Sequence, residues 1–281
     1  MRVVALVESV GHVCCRYRLA AFAPALAAAG VALDLRPLPK SAFARLREYR
    51  RCRDADLVVV QRKLLPRVEV AVLRRFARRL AFDFDDAVWL RDSYSPKGFE
   101  SARRARRFQS IVGRCDAVLA GNPYLAAEAN RFAKTGAVVH LPTCVDPNAY
   151  PTAKHERPAG SVQLVWVGSR STLNGLERIR PILDAVGKAV PGARLKMICD
   201  RFLKFDHLPV DEVPWTEATE ASEIAAADVG IGWVPDDPWS RGKCALKLLQ
   251  YQAAGLPVIA NPVGVQADIV RRGETGFPSK T

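Results

Sequence analysis

Residues 240–260, SRGKCALKLLQYQAAGLPVIA, carry the reading that decides the fold. Lys243–Ala254 predicts a helix, Gly255-Leu256-Pro257 stops it sharply, and Val258–Ala260 follows as a short apolar strand. Ser240, Arg241, Gly242 and Lys243 lead into that helix. Unpaired backbone N–H groups, the positive end of the helix dipole and two cations would converge there, a combination suited to a diphosphate.

Upstream, short apolar runs alternate with amphipathic stretches. Candidate strands are Val3–Val7, Val31–Leu35, Leu57–Val60, Leu80–Phe84, Ala117–Ala120 and Val138–Leu141. Helices are expected at Cys15–Ala29, Ala42–Arg51, Arg67–Arg79, Glu100–Val112 and Tyr124–Lys134, with Asn122 capping the last and Pro123 at its first position. Strand–helix alternation at this spacing predicts a parallel sheet with right-handed crossovers. Residues 142–160, with four prolines, then interrupt the pattern. It resumes with a strand at Val162–Val167, a helix from Leu173 to Val190 and a strand at Arg194–Cys199. Glu220–Ala226 follows as a helix and Val229–Val234 as a strand. The expectation is an α/β chain of two Rossmann-like domains facing across a cleft: 1–150, a linker at 151–160, and 161–281.

The composition fits a folded chain: 49% of the 281 residues are hydrophobic and 25% charged. Glu8 interrupts the apolar run Val3–Val7 too early for a secretory signal, and no later stretch reaches the length of a membrane span. The seven cysteines are scattered without a Cys-x-x-Cys pair, and the four histidines lack ligand spacing. Reduced thiols, no metal, no cofactor and a cytoplasmic location are therefore expected. Charge is uneven: residues 1–158 hold 28 Lys and Arg against 15 Asp and Glu, whereas 159–281 hold 14 of each. The surplus in the first part suits an anionic partner, either a phospholipid surface on which the protein sits peripherally or a lipid-phosphate acceptor. Arg103, Arg104, Arg106 and Arg107 around Phe108, and Arg74, Arg75, Arg78 and Arg79 around Phe76, are helix faces that could lie on such a surface or simply be solvated. No base-stacking platform or nucleic-acid-reading motif accompanies them, so no nucleic acid is expected.

The segment GKCALKLLQYQAAGLPVIANPVGVQADIVRRGETGFP, Gly242 to Pro278, resembles the donor-site signature of glycosyltransferase family 4, the group 1 retaining transferases with the GT-B fold. VWVGSRST (Val165–Thr172), AVLAGNPYLAAEA (Ala117–Ala129) and VVHLPTCVDPNAY (Val138–Tyr150) are similar to other pieces of that family in the same order, and FDFDDAVW (Phe82–Trp89) to a subgroup with an acidic turn. The resemblance implies a nucleotide-sugar donor held by the second domain. Its binding residues would be Gly168, Ser169 and Arg170 in the turn after the first strand, with Arg241, Gly242, Lys243, Lys247 and Gln250 around the later helix.

The sequence departs from the family in several places. Two family glutamates are replaced by Gly242 and Gln250, and two phosphate-binding cations by Ser169 and Asn174. Asp85-Asp86 stands where a catalytic-side histidine is frequent, and these two are the candidate catalytic residues. Gly11 and His12 in the first loop, with Arg16 and Arg18 beyond it, are candidate acceptor contacts; the loop lacks the Gly-x-Gly-x-x-Gly fingerprint of dinucleotide binding. Family members also continue past the turn at 273–276 with helices, so a shortened second domain is expected.

The implied activity is sugar transfer, with retention, from a nucleotide-diphosphate sugar to a glycan or lipid-linked acceptor. A non-catalytic binding protein of the same fold and a nucleotide-sugar epimerase are the alternatives.

Overall fold

A computed structural model describes residues 1–279. It divides into two compact units, Met1–Cys144 with Asp237–Cys244, and Val145–Asp236 with the chain from Ala245 onward. Within the first unit the elements run β1 (Arg2–Val7), α1 (Val13–Arg18), α2 (Ala23–Ala28), β2 (Ala32–Pro37), α3 (Ala42–Arg51), β3 (Leu57–Gln61), α4 (Arg67–Phe76), β4 (Leu80–Phe84), α5 (Ala102–Val112), β5 (Ala117–Ala120), α6 (Pro123–Asn130) and β6 (Val138–His140). Among the described residues these make one sheet in the order β2-β1-β3-β4-β5-β6, every pair parallel. The order reverses direction between β1 and β3, and ligand crevices in open parallel sheets form at the carboxyl ends of strands flanking such a point. All five residues of β4 are buried. Phe82 and Phe84 from β4 meet Phe108 of α5 at centroid distances of 6.3 and 5.4 Å, so an aromatic core fixes α5 beneath the strand.

The second unit runs β7 (Val162–Val167), α7 (Leu173–Arg178), α8 (Arg180–Ala189), β8 (Ala193–Cys199), β9 (Val210–Pro214), α9 (Glu220–Ala225), β10 (Val229–Gly232), α10 (Leu246–Ala253), β11 (Val258–Ala260), α11 (Gln266–Ile269) and β12 (Gly276–Pro278). Its sheet, again parallel, has the order β12-β11-β10-β7-β8-β9. The reversal here lies between β7 and β10.

Several expectations are corrected. The helix expected over Cys15–Ala29 breaks at Leu19 (φ −130°, ψ −61°), and Pro24 opens a separate α2. The long helix from Leu173 breaks at Ile179, ahead of Pro181, which has no N–H to continue the ladder. Arg78 and Arg79 fall outside α4, because Ala77 is extended (φ −80°, ψ 124°). Strands β9 and β12 were not expected at all. Tyr150, expected at the end of the first domain, belongs to the second unit: it is 8% exposed and packs with Val165, Tyr251 and Leu256 in that unit's core.

Candidate active site

Strand β4 delivers its carboxyl end into Asp85 and Asp86, and three cations meet the carboxylates there. Inside the strand, Asp83 takes a forked pair of hydrogen bonds from Arg18, with Nη2 donating to Oδ1 at 2.6 Å and Nε to Oδ2 at 3.1 Å. Both side chains are almost fully enclosed, at 2% and 1% exposure. Arg18 also donates to the Leu141 carbonyl at 2.9 Å and to Thr143 Oγ1 at 3.1 Å. A guanidinium enclosed and engaged in this way has no role toward an acceptor, so the expectation for Arg18 is corrected to a structural one: it clamps the end of α1 to β4.

Arg62, the residue after β3, holds the other two carboxylates. It adopts a left-handed backbone (φ 56°), uncommon for a residue with a side chain. Its N–H donates to the Asp83 carbonyl at 2.8 Å. Its guanidinium ion-pairs with Asp86, stands 3.3 Å from Asp85 Oδ1 and donates to Cys14 Sγ. Lys243 Nζ completes the arrangement at 2.9 Å from the second oxygen of Asp86. Trp239 supports that ammonium, its ring centroid 5.0 Å from Nζ. Asp85 Oδ1 is buried without a hydrogen bond among the described residues.

These surroundings push the adjacent carboxyls apart. Burial raises the Asp85 pKa above the ordinary carboxylate range, Arg62 opposes this and Asp86 adds to it. Burial acts on Asp86 in the same sense, but Lys243 and Arg62 outweigh it and hold that carboxyl below its ordinary range. Two neighbouring carboxyls displaced in opposite directions differ in how readily each gives up its proton.

The segment that brings Lys243 to Asp86 is locked into the first unit by close backbone packing. A side chain on Gly242 would meet the Ala87 nitrogen and Cβ at 2.8 Å, which explains glycine where the family resemblance calls for glutamate. Asn122 caps α6 through its oxygen to the Leu125 N–H and spends its amide nitrogen on the Lys243 carbonyl at 3.0 Å. Cys244 Sγ donates to the Asp85 carbonyl at 3.3 Å. The expected helix start is corrected: Ala245 is left-handed (φ 52°), α10 begins at Leu246, and Lys243 lies outside it. Arg241 shares this segment and is exposed; its carbonyl faces Asn122.

In the second unit the candidate donor residues are arranged differently from the expectation. The amides of the turn after β7 already have protein partners. Gly168 N–H donates to the Ile198 carbonyl, Ser169 N–H to Thr172 Oγ1 at 3.1 Å, and Arg170 N–H to Asp200 Oδ1 at 2.7 Å. Asp200 therefore occupies the anion position of this turn, and the Arg170 N–H holds its pKa below the ordinary value. Gly168 is glycine because the Trp166 indole fills the space a side chain would take, at 2.3 Å from the Cβ position. Gln250, expected among the donor-binding residues, is 2% exposed and donates to the Tyr150 hydroxyl at 3.1 Å. Lys247 stacks its ammonium over Trp166, 4.2 Å from the ring centroid.

Of the first-loop candidates, Gly11 is exposed, and His12 caps α1 by accepting from the Cys14 N–H at 3.3 Å. Burial, then the charge of Arg62, lower the His12 pKa, so it is a neutral cap. Arg16 lies over the Tyr17 ring at 5.3 Å. Sequence reasoning missed Arg62, Trp239 and Asn122. Asn122 was legible as a cap, but nothing local in the sequence marks Arg62 or Trp239. Among the described residues no group of three or more His, Cys, Asp or Glu could hold a metal ion, and no helix is long and apolar enough to cross a membrane.

No family model and no curated protein matches this sequence. Solved structures do. The chain is similar to the apo form of the lipopolysaccharide outer core galactosyltransferase WaaB, at 10% identity and a TM-score of 0.63, covering 100% of this chain and 87% of that one. It is similar to WaaG, a glycosyltransferase involved in lipopolysaccharide biosynthesis, at 15% identity and 0.63, covering 99% and 85%. It is also similar to the catalytic domain of starch synthase IV from Arabidopsis thaliana bound to ADP and acarbose, at 10% identity and 0.60, covering 99% and 86%. At such identities the likeness speaks to fold: two parallel six-stranded sheets with flanking helices, the two Rossmann-like domains of GT-B proteins.

Proposed function

We propose that the protein is a retaining glycosyltransferase of family 4 that moves a sugar from a nucleotide-diphosphate donor to a glycan or lipid-linked acceptor. The observation that carries this reading is the adjacent carboxyls of Asp85 and Asp86 set beside Arg62, 3.3 Å from Asp85, and Lys243, 2.9 Å from Asp86, at the carboxyl end of β4. Sugar transfer needs polar groups that orient hydroxyls and cations that offset charge developing on a diphosphate leaving group. Asp85 and Asp86 would hydrogen-bond sugar hydroxyls. Lys243, tethered by one carboxylate oxygen, keeps further N–H donors for phosphate. The proposed setting is the cytoplasm, peripheral on a membrane where the acceptor is lipid-borne.

The test is release of nucleoside diphosphate from a panel of UDP-, GDP- and ADP-sugars, compared with Asp86→Asn. Turnover that falls by about 100-fold or more in the variant fits a carboxylate acting in the transition state; equal rates in both proteins would refute the role of Asp86.

One observation favours a second reading, a nucleotide-binding protein without turnover: Asp200 fills the amide turn at Gly168–Arg170 and would repel a donor phosphate there. Nucleotide binding with no turnover on any donor would select it.

A further inference from the structure

Outside the carboxylate cluster, the first unit holds a hollow of about 480 Å³ that none of the candidate residues accounts for. Arg62 and Lys63 line it from the end of β3, and Arg103, Arg104 and Arg107 from α5. Five cations and one carboxylate, Glu8, line the hollow; Lys63 pairs with Glu8 at 2.8 Å and Arg62 with Asp85 and Asp86, which leaves the three arginines of α5. The α5 guanidiniums are set by carbonyls rather than acids: Arg107 donates to Leu64 O at 3.1 Å, and Arg104 to Leu90 O at 3.1 Å. Among the described residues Arg103, Arg104 and Arg107 have no ion-pair partner. Burial, then the charge of Arg103, lower the Arg107 pKa, and the charge of Glu69 opposes them only in part. Trp239, Leu64 and Val88 supply an apolar wall. A cationic recess with one apolar side fits a phosphate ester whose carbon part lies on an aromatic ring.

We propose that this hollow binds a phosphate ester carried by the acceptor, with Arg103 and Arg107 as its principal contacts. The word acceptor rests on the transferase reading; the binding site does not. Arg62 lines the hollow and also stands 3.3 Å from Asp85, so an ester seated here brings its neighbouring hydroxyls to the carboxylates. The phosphate can belong to a soluble ester or to a lipid headgroup, and the chemistry recognised is the same.

The experiment is calorimetric titration of the full chain with glycerol phosphate and with glycerol, together with flotation on phosphatidylcholine vesicles with and without phosphatidic acid. No nucleotide sugar is present, so its outcome is independent of turnover. Glycerol phosphate should bind and glycerol should not, and Arg103→Gln with Arg107→Gln should weaken binding by about tenfold or more, the size expected for loss of charge-assisted contacts. Arg103→Gln alone removes no side-chain hydrogen bond or ion pair among the described residues, should leave the melting temperature unchanged, and should still weaken binding severalfold. Recruitment to phosphatidic acid vesicles that the double variant loses identifies a lipid-borne ester; binding of the soluble ester alone identifies a soluble one. Glycerol phosphate and vesicle binding that are absent, or that survive both substitutions, would overturn the proposal.

Discussion

Lys243 Nζ and Asp86 Oδ1 are 2.9 Å apart, while Arg62 takes the other oxygen of the same carboxylate. Asp86 is thus the shared anion of two cations that arrive from positions far apart in the chain. Removing it leaves both charges facing each other in a largely enclosed place.

Asp86→Asn should therefore destabilise the first unit. Loss of one partner from a buried pair costs roughly 3–5 kcal/mol, and because a third of Lys243 is solvent-exposed, about 2 kcal/mol is expected here. Urea unfolding measures it. Adding Lys243→Met to Asp86→Asn should restore part of the loss, and a purely additive pair would show that the two do not interact.

The stability profile with pH follows from the opposite displacements of Asp85 and Asp86. Asp86 lies below its unfolded value of about 3.9, so its contribution is complete above that pH and disappears as pH falls through the folded pKa. Asp85 lies above its unfolded value, so its contribution is present at low pH and disappears as pH rises through the folded pKa. Urea midpoints recorded from acid to neutral pH should show Asp85→Asn removing the decline above about pH 4. A variant whose midpoints track the native protein throughout would contradict the raised value.

Arg18→Met should cost about 3–5 kcal/mol, since it removes the guanidinium from an Asp83 carboxyl that has almost no exposure to water and leaves it the Gln61 amide at 3.1 Å. Thermal or urea unfolding gives the number. A loss below about 1 kcal/mol, the level of a surface pair, would mean the clamp is not formed in solution.

Gly242→Ala should lower stability by about 1–3 kcal/mol, because the added methyl would press on the Ala87 backbone rather than on a side chain that can move. Gly11→Ala, with nothing within 4 Å of the same position, is the control and should stay near native.

Much of the fold was legible because it is written in local patterns. Val162–Val167 and Leu80–Phe84 are apolar runs of strand length, and both form the strands read from them residue for residue. Strand β9, VDEVP, escaped because its residues are half-buried or exposed and no apolar run marks it. The site was less legible. Asp85 and Asp86 stood out as an acidic pair, but their meaning depends on Arg62 and Lys243, and the pairing of Lys243 with Asp86 has no local signature. The Gly168 turn misled in the other direction: glycine there makes room for Trp166, an effect visible only once the indole is placed.

The first unit is completed late in the chain. Asp237–Cys244, which carry Lys243, Trp239 and the close contact at Gly242, emerge from a ribosome only after most of the second unit has been made. Until then Asp86 has Arg62 as its one cation, and the wall that Trp239 forms is missing. A nascent chain halted before residue 237 would hold a sheet with all its strands but an unfinished site. Assembly of the chemistry is therefore tied to synthesis of the chain through Cys244, past Val145–Asp236 of the second unit.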